Sequence, residues 1–317
     1  MKNTNLFIAK YSRFIILLLI CAGLSVATPV FFTGGNLLNV LRQGSLLLIM
    51  SIGMLFAMLL GRGVDMSIGA TLALTSCLGA TFLKSNASIG SITFGVVLAL
   101  FLGILIGIVN GALIAYLNLP AILVTFGMRE IVRGIVYFLM NEKVITGFHK
   151  KIIYIGAGRF LNKIPMPIVI AGVITLLAMF ILRRTSAGRE LYIVGSNASA
   201  AKFSGIKTNK TIIFGFAVSG FMAALAGIVY IGRLGAAEPQ IGEAFAFQCV
   251  GAVAIGGTSF IGGIGTAGGA VIGALILTLL TNGMNLLNIS TFWQGTVNGA
   301  VIILAVVLDY YARKKIS

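Results

Sequence analysis

The strongest constraint on this chain is the recurrence of apolar stretches close to the length that crosses a bilayer as helix. Residues 14–32, 91–117, 167–182 and 211–231 are of this kind, and about 20 such residues span a hydrocarbon core as helix. The natural solvent is lipid. Of 317 residues 9% are charged and 58% hydrophobic, against roughly 25% charged in a soluble domain, and the mean hydropathy is +1.07. Outer-membrane barrel strands alternate apolar and polar residues, whereas these stretches are apolar on every side. The fold class read from this pattern is all-α, a polytopic membrane protein.

Dividing the chain at its polar breaks gives segments near 14–32, 45–60, 66–83, 91–117, 119–140, 166–182, 211–231, 244–258, 266–287 and 292–310, about ten transmembrane helices in one membrane domain, 1–317. Its N-terminal half covers about 14–140 and its C-terminal half about 211–310, with an outside loop at 141–165 and a cytoplasmic loop at 183–210. Lys2, Lys10 and Arg13 precede the first apolar run as in a signal peptide, but the run continues to Phe32 and many spans follow. A retained first span is therefore expected. With the N-terminus inside, the larger share of the 23 Lys and Arg falls on the cytoplasmic side, which predicts both termini in the cytoplasm. Lys143, Lys150, Lys151, Arg159 and Lys163 in the outside loop run against that trend.

The net charge of +16 is spread between apolar spans as a topology signal, not gathered with aromatics into a nucleic-acid patch. Cys21, Cys77 and Cys249 each sit inside an apolar span, without disulfide or metal spacing, and read as packing residues. The single histidine, His149, lies in a polar loop and is expected at the surface. No metal site is expected.

Forty-one glycines need a reason. Lipid gives helices no hydrophobic push toward each other, so close association depends on small residues. The two densest stretches, 59–74 and 254–274, fall one in each half and hint at two similar halves, a plan known among transporters. Gly263, Gly265 and Gly268 have G-x-G-x-x-G spacing, but no acidic residue occurs between Glu243 and Asp309 to hold a ribose. They read as a tight break between spans. No G-x-x-x-x-G-K-[ST] occurs, so any ATP hydrolysis belongs to a partner. No nucleophile–base set occurs either, and the chain is expected to be non-catalytic.

Several polar residues inside the spans are candidates for a pathway or gate. Asp65, with Ser67 beside it, must sit at the interface or be paired, because a carboxylate in hydrocarbon is costly; it acts either as a lever at a gate or as the cap of a helix beginning near Met66. Arg129, Glu130 and Arg133 share one span, where Glu130 and Arg133 are placed to pair, and Arg133 is either a polar anchor of the pathway or dimer interface or half of a packing ion pair. Asn110, Thr125 and Gln248 can bond a sugar hydroxyl or a neighbouring helix.

Within 183–210, "GSNASAAKFSGI" reads as one short helix with Asn197 as N-cap and Gly205 as its left-handed stop. Ala198, Ala200 and Ala201 give it a smooth surface, and two turns alone are marginal in water, so it should dock on something.

Three stretches together carry a resemblance: "GRGVDMSIGATLAL" from Gly61, "VNGALIAYLNLPAILVTFGMREIVRG" from Val109, and "AGRELYIVGSNASAAKFSGI" from Ala187 with "AIGGTSFIGGIGTAGGAVIGA" after it. The chain resembles the permease subunits of ribose-type ABC sugar importers, within the group shared with branched-chain amino acid permeases, over about 42–307. Arg62 stands where the family has a glycine, Met66 where it has a leucine, and "LPAILVTFG" lacks a doubled proline. The resemblance implies a bacterial cytoplasmic (inner) membrane subunit carrying a monosaccharide, a ribose-like pentose or a hexose. It implies a second permease copy or paralogue, an extracytoplasmic sugar-binding protein, and an ABC ATP-binding subunit that binds the ATP, with no cofactor on this chain. Gly188, Glu190, Gly195, Asn197, Ala200, Ala201, Gly205 and Ile206 match the segment that couples such permeases to the ATPase. An ion-driven secondary transporter is the competing reading, with Asp65 and Glu130 as its only buried-carboxylate candidates; related permeases also carry nucleosides and other polyols.

Overall fold

A computed structural model of the chain describes residues 2–141 and 143–314. Helix α1 covers Lys2–Ala27, α2 Gly34–Leu59, α3 Ile68–Phe82, α4 Ile89–Leu117 and α5 Ala121–Met140. The hydroxyls of Thr33 and Ser88 cap α2 and α4 by accepting from Asn36 N and Ser91 N. Asn118 and Asn141, at φ 53° and 46°, end α4 and α5 in the left-handed conformation that asparagine tolerates. The polar loop that follows holds β1 (Ile145–Thr146), α6 (Lys150–Ala157), β2 (Arg159–Phe160) and β3 (Ile164–Pro165). His149 is half-buried and has a defined task, since its Nδ1 accepts from Lys151 N at 3.2 Å and caps α6.

Helix α7 covers Met166–Arg184, α8 Ser186–Ser196, α9 Ala198–Phe203 and α10 Thr208–Leu234. After β4 (Ala236–Ala237) come α11 (Phe245–Ile255), α12 (Ala267–Leu286) and α13 (Thr291–Lys314). Each apolar segment expected from the sequence is helical. Among the described residues α2, α4, α7, α10 and α12 are long and apolar enough to cross a membrane. By contrast α3 and α11 have 15 and 11 residues, about 22 and about 16 Å at 1.5 Å per residue, short of the roughly 30 Å of a hydrocarbon core. Neither can cross alone. Both begin at the same place: Gly69 in the first turn of α3 lies backbone-to-backbone against Gly242, ahead of α11, where no side chain would fit on either.

The centre is α2 and α10. Residues 49–59 of α2 are buried on every side, whereas α4 and α7 turn Phe94, Val97, Phe101, Leu176 and Phe180 outward, as lipid-facing helices do. Helix α10 packs along α4 and against α2, α3 and α6. Gly103, Gly107 and Gly111 form one stripe of α4 directly on the backbone of α10 at Gly220, Phe216 and Ile213. The expected use of glycine, close helix approach without a hydrophobic driving force, is realised here.

The connections gather on two opposite faces. One carries α8, α9, the break at 60–67 and the loop 256–266, and Arg13 of α1 reaches it, donating to Gly256 O at the end of α11 (2.7 Å). A cation at a helix C-terminus is the favoured arrangement. The other face carries α6, whose Gly156 is pressed on Gly232 of α10, and the β1–β4 pair, Ile145 with Ala237 and Thr146 with Ala236.

Candidate functional site

The break between α2 and α3 brings Asp65 inside the bundle, 1% exposed. One carboxylate oxygen accepts from Ser67 N (3.0 Å) and Ser67 Oγ (2.6 Å), and the other accepts from Ser219 Oγ of α10 (2.6 Å). The carboxylate is held by neutral donors. Asn110 of α4 donates through Nδ2 to Ser67 Oγ (2.9 Å). Thr125 of α5 accepts from Met66 N (3.0 Å) and sits on the carbonyls of Val64 (3.0 Å) and Ala121 (2.8 Å). Four of the expected residues, Asp65, Ser67, Asn110 and Thr125, thus form one buried node joining α3, α4, α5 and α10. The expected cap does not form: α3 begins at Ile68 with Ser67 as its N-cap and no side-chain cap bond, and the Asp65 bond to Ser67 N closes a local turn ahead of it, while the bond to Ser219 reaches α10. Ser219 is invisible in the sequence as a partner, being a single serine in an apolar helix 154 positions away.

The charges of α5 separate. The expected Glu130–Arg133 pair does not form. Glu130 lies beside Arg129 instead (3.7 Å), with side chains 59% and 26% exposed, and Arg129 stands 5.5 Å over the Phe126 ring. Arg133 is buried and donates through Nη1 to Pro239 O (2.6 Å) and Ile241 O (2.9 Å). Its position on the inner side of α5 puts the carbonyls of the turn ahead of α11, and not Glu130, within reach. Gln248 is half-buried on α11, and among the described residues no hydrogen bond joins it to the Asp65 node.

The segment 183–210 holds the expected short helix, α9, and ahead of it a further helix, α8, not expected from the sequence. Gly188 of α8 is pressed on the backbone of α7 at Ile181 and Leu182, and Glu190 accepts from Thr211 Oγ1 of α10 (3.1 Å). Helix α9 has the expected caps: Asn197 Oδ1 accepts from Ala200 N (2.9 Å), and Gly205 sits at φ 81°. Gly205 N donates to Lys202 O and Ile206 N to Ala201 O, both at 3.1 Å, the paired closure of a Schellman end. Ala201 is not part of the outward surface of α9. It is 0% exposed, and the outward side of α9 is Ser199, Ala200, Lys202 and Phe203, the last 93% exposed. An open groove of about 300 Å³ runs between α8 and α9, lined by Tyr192, Ser196, Ala200 and Ser204 among others.

Gly195, at the end of α8, touches the carbonyl of Leu59 where α2 ends and the backbone of Gly263 in the 256–266 loop. Gly263 N also donates to Leu59 O (2.9 Å), and Tyr192 donates to Gly265 O (2.9 Å). Burial raises the Tyr192 hydroxyl above its ordinary pKa, against the nearby Arg183, which keeps it a donor. Two of the three glycines with dinucleotide spacing serve this junction, Gly263 fitted against Ser196 and Gly265 against Thr258, while Gly268 faces only Met179 of α7.

The family described as "Branched-chain amino acid transport system / permease component" matches residues 36–306 of this chain. The chain belongs to that family, in its ribose-type branch of ABC permeases. The permease is 37% identical to the ribose import permease of Haemophilus influenzae over 98% of this chain and 95% of the relative. It is 34% identical to the D-allose transport system permease of Escherichia coli (98% and 95% covered) and 31% identical to the xylose transport system permease of Haemophilus influenzae (99% of each). No solved structure matches it. It is a multi-pass membrane protein of the ABC importer class.

Proposed function

We propose that the permease forms the pathway by which an ATP-driven importer passes a monosaccharide, ribose, another pentose or a hexose, and that a separate ATPase seated on α8 and α9 moves it. The observation that carries this reading is the junction at Gly195. Because its backbone is lodged between the end of α2 and the 256–266 loop, a displacement of α8–α9 reaches both glycine breaks. Phe203 and Ala200 give the ATPase an outward surface, while buried Ala201 anchors α9 to the bundle. The face with α8 and α9 is cytoplasmic, with both termini, and the sugar-binding protein approaches the face with α6.

A second copy supports the pathway. Arg129 and Glu130 lie midway along α5 with partly exposed side chains, and charges at that depth need water or protein around them. A water-lined passage between two α5 helices supplies both. In this reading the ten helical segments make two similar halves, each with one short helix, α3 and α11, meeting at Gly69 and Gly242.

Purified from its membrane, the permease should bring an ATPase with it. Rebuilt in vesicles with that ATPase and a sugar-binding protein, it should take up ribose, xylose or allose only when ATP is supplied. Uphill uptake by this chain alone, collapsing with an ionophore, would overturn the reading.

A further inference from the structure

We propose that Tyr137, Glu243 and Arg133 form a station at one end of the passage that recognises the hydroxyls of the sugar in transit. This rests on the permease reading above. The Arg133 guanidinium lodges in the turn 239–241 and spends Nη1 on the Pro239 and Ile241 carbonyls. Among the described residues its Nη2 has no partner, although that atom is buried and the residue is only 7% exposed. A buried charged donor without an acceptor is costly to leave. A ligand oxygen completes it.

Tyr137 lies one turn further along α5, on the same side as Arg133, and donates to Glu243 Oε1 at 3.4 Å. That bond is at the long limit, so a hydroxyl can replace it at little cost. Glu243 is exposed and keeps most of the acceptor capacity of a carboxylate. The turn that carries it is held from several directions: β4 pairs with β1, Arg133 grips two carbonyls, and Gly242 is fitted against Gly69. The acceptor and donors are therefore in place before the substrate comes.

The ligand chemistry follows from this set. A carboxylate accepts from two neighbouring hydroxyls, while a guanidinium and a phenol donate to the oxygens beside them. A neutral polyol supplies that combination, and a sugar phosphate would meet the charge of Glu243. Glu243 is exposed while Arg133 is buried, an arrangement that suits a pause in a passage better than tight retention.

The complex with its ATPase, in vesicles and with the binding protein saturated, is offered ribose, xylose and allose, and the sugar taken up fastest is compared with its deoxy analogues. Glu243→Gln should lower the maximal uptake rate of the parent sugar about tenfold, the effect of one charge-assisted hydrogen bond. For the analogue lacking the recognised hydroxyl, the substituted and unsubstituted proteins should be equal. Tyr137→Phe, which removes one oxygen, should shift the same ratio in the same direction and carries the test if Glu243→Gln fails to assemble. Equal losses on every sugar, or no loss, would overturn the station. Absence of ATP-driven uptake of every sugar by the unsubstituted complex would instead overturn the permease reading, and with it the station.

Discussion

The Asp65 carboxylate, in the break between α2 and α3, accepts a 2.6 Å hydrogen bond from Ser219 in the middle of α10. This single contact ties the start of a half-length helix to the central helix of the bundle. Removing one partner from such a buried pair leaves the other unsatisfied, at about 1–3 kcal/mol for a polar group and more for a charged one.

Asp65→Ala should therefore destabilise the protein by about 3 kcal/mol, read as a fall in thermal unfolding temperature in detergent. Asp65→Asn keeps an oxygen for Ser67 and offers an NH₂ to Ser219, so it should cost less and retain uptake within a few-fold. Abolished uptake by a well-folded Asp65→Asn would show that the charge itself acts in transport.

Ala201 and Phe203, two positions apart on α9, should behave oppositely. Ala201 is fully buried, and Trp there would overfill the packing of α9 by about 1–3 kcal/mol or more, lowering the yield of folded protein. Phe203→Ala should leave the fold intact and weaken ATPase association more than tenfold, as loss of an aromatic anchor does. Titration of the ATPase against permease in nanodiscs measures this; unchanged affinity would remove Phe203 from the interface.

Asn36 and Asn282 exchange two amide hydrogen bonds, 3.1 and 2.9 Å, in the seam between α2 and α12. Either single change to Leu should cost about 1–3 kcal/mol by stranding the remaining amide. The double Leu variant should be more stable than the sum of the two losses, because neither amide is stranded. A double-mutant cycle of unfolding midpoints tests it, and simple additivity would contradict the pairing.

Gly107 on α4 has the Phe216 carbonyl and Ala217 of α10 where a side chain would begin. Gly107→Leu should push the helices apart and prevent assembly of a monodisperse protein. Gly127 on α5 has open space around it, so Gly127→Ala should be tolerated. Size-exclusion profiles of the two variants should differ in that order.

The apolar periodicity alone determined that the chain is helical, that lipid is its solvent, and where most helices lie, because the length needed to cross a bilayer is a one-dimensional property. The caps of α9 were equally legible, since Asn197 and Gly205 act on residues a few positions away. Ala201 and Arg133 were not. Side-chain direction on a two-turn helix depends on what lies beneath it, and the choice of Arg133 between Glu130 and two carbonyls depends on a turn more than a hundred positions downstream. The glycines were readable as close-packing residues, but which backbone each would meet, Gly69 with Gly242 or Gly195 with Leu59, was decided by tertiary structure. In lipid, where hydrophobic burial does not choose neighbours, shape and hydrogen bonding between distant segments make that decision.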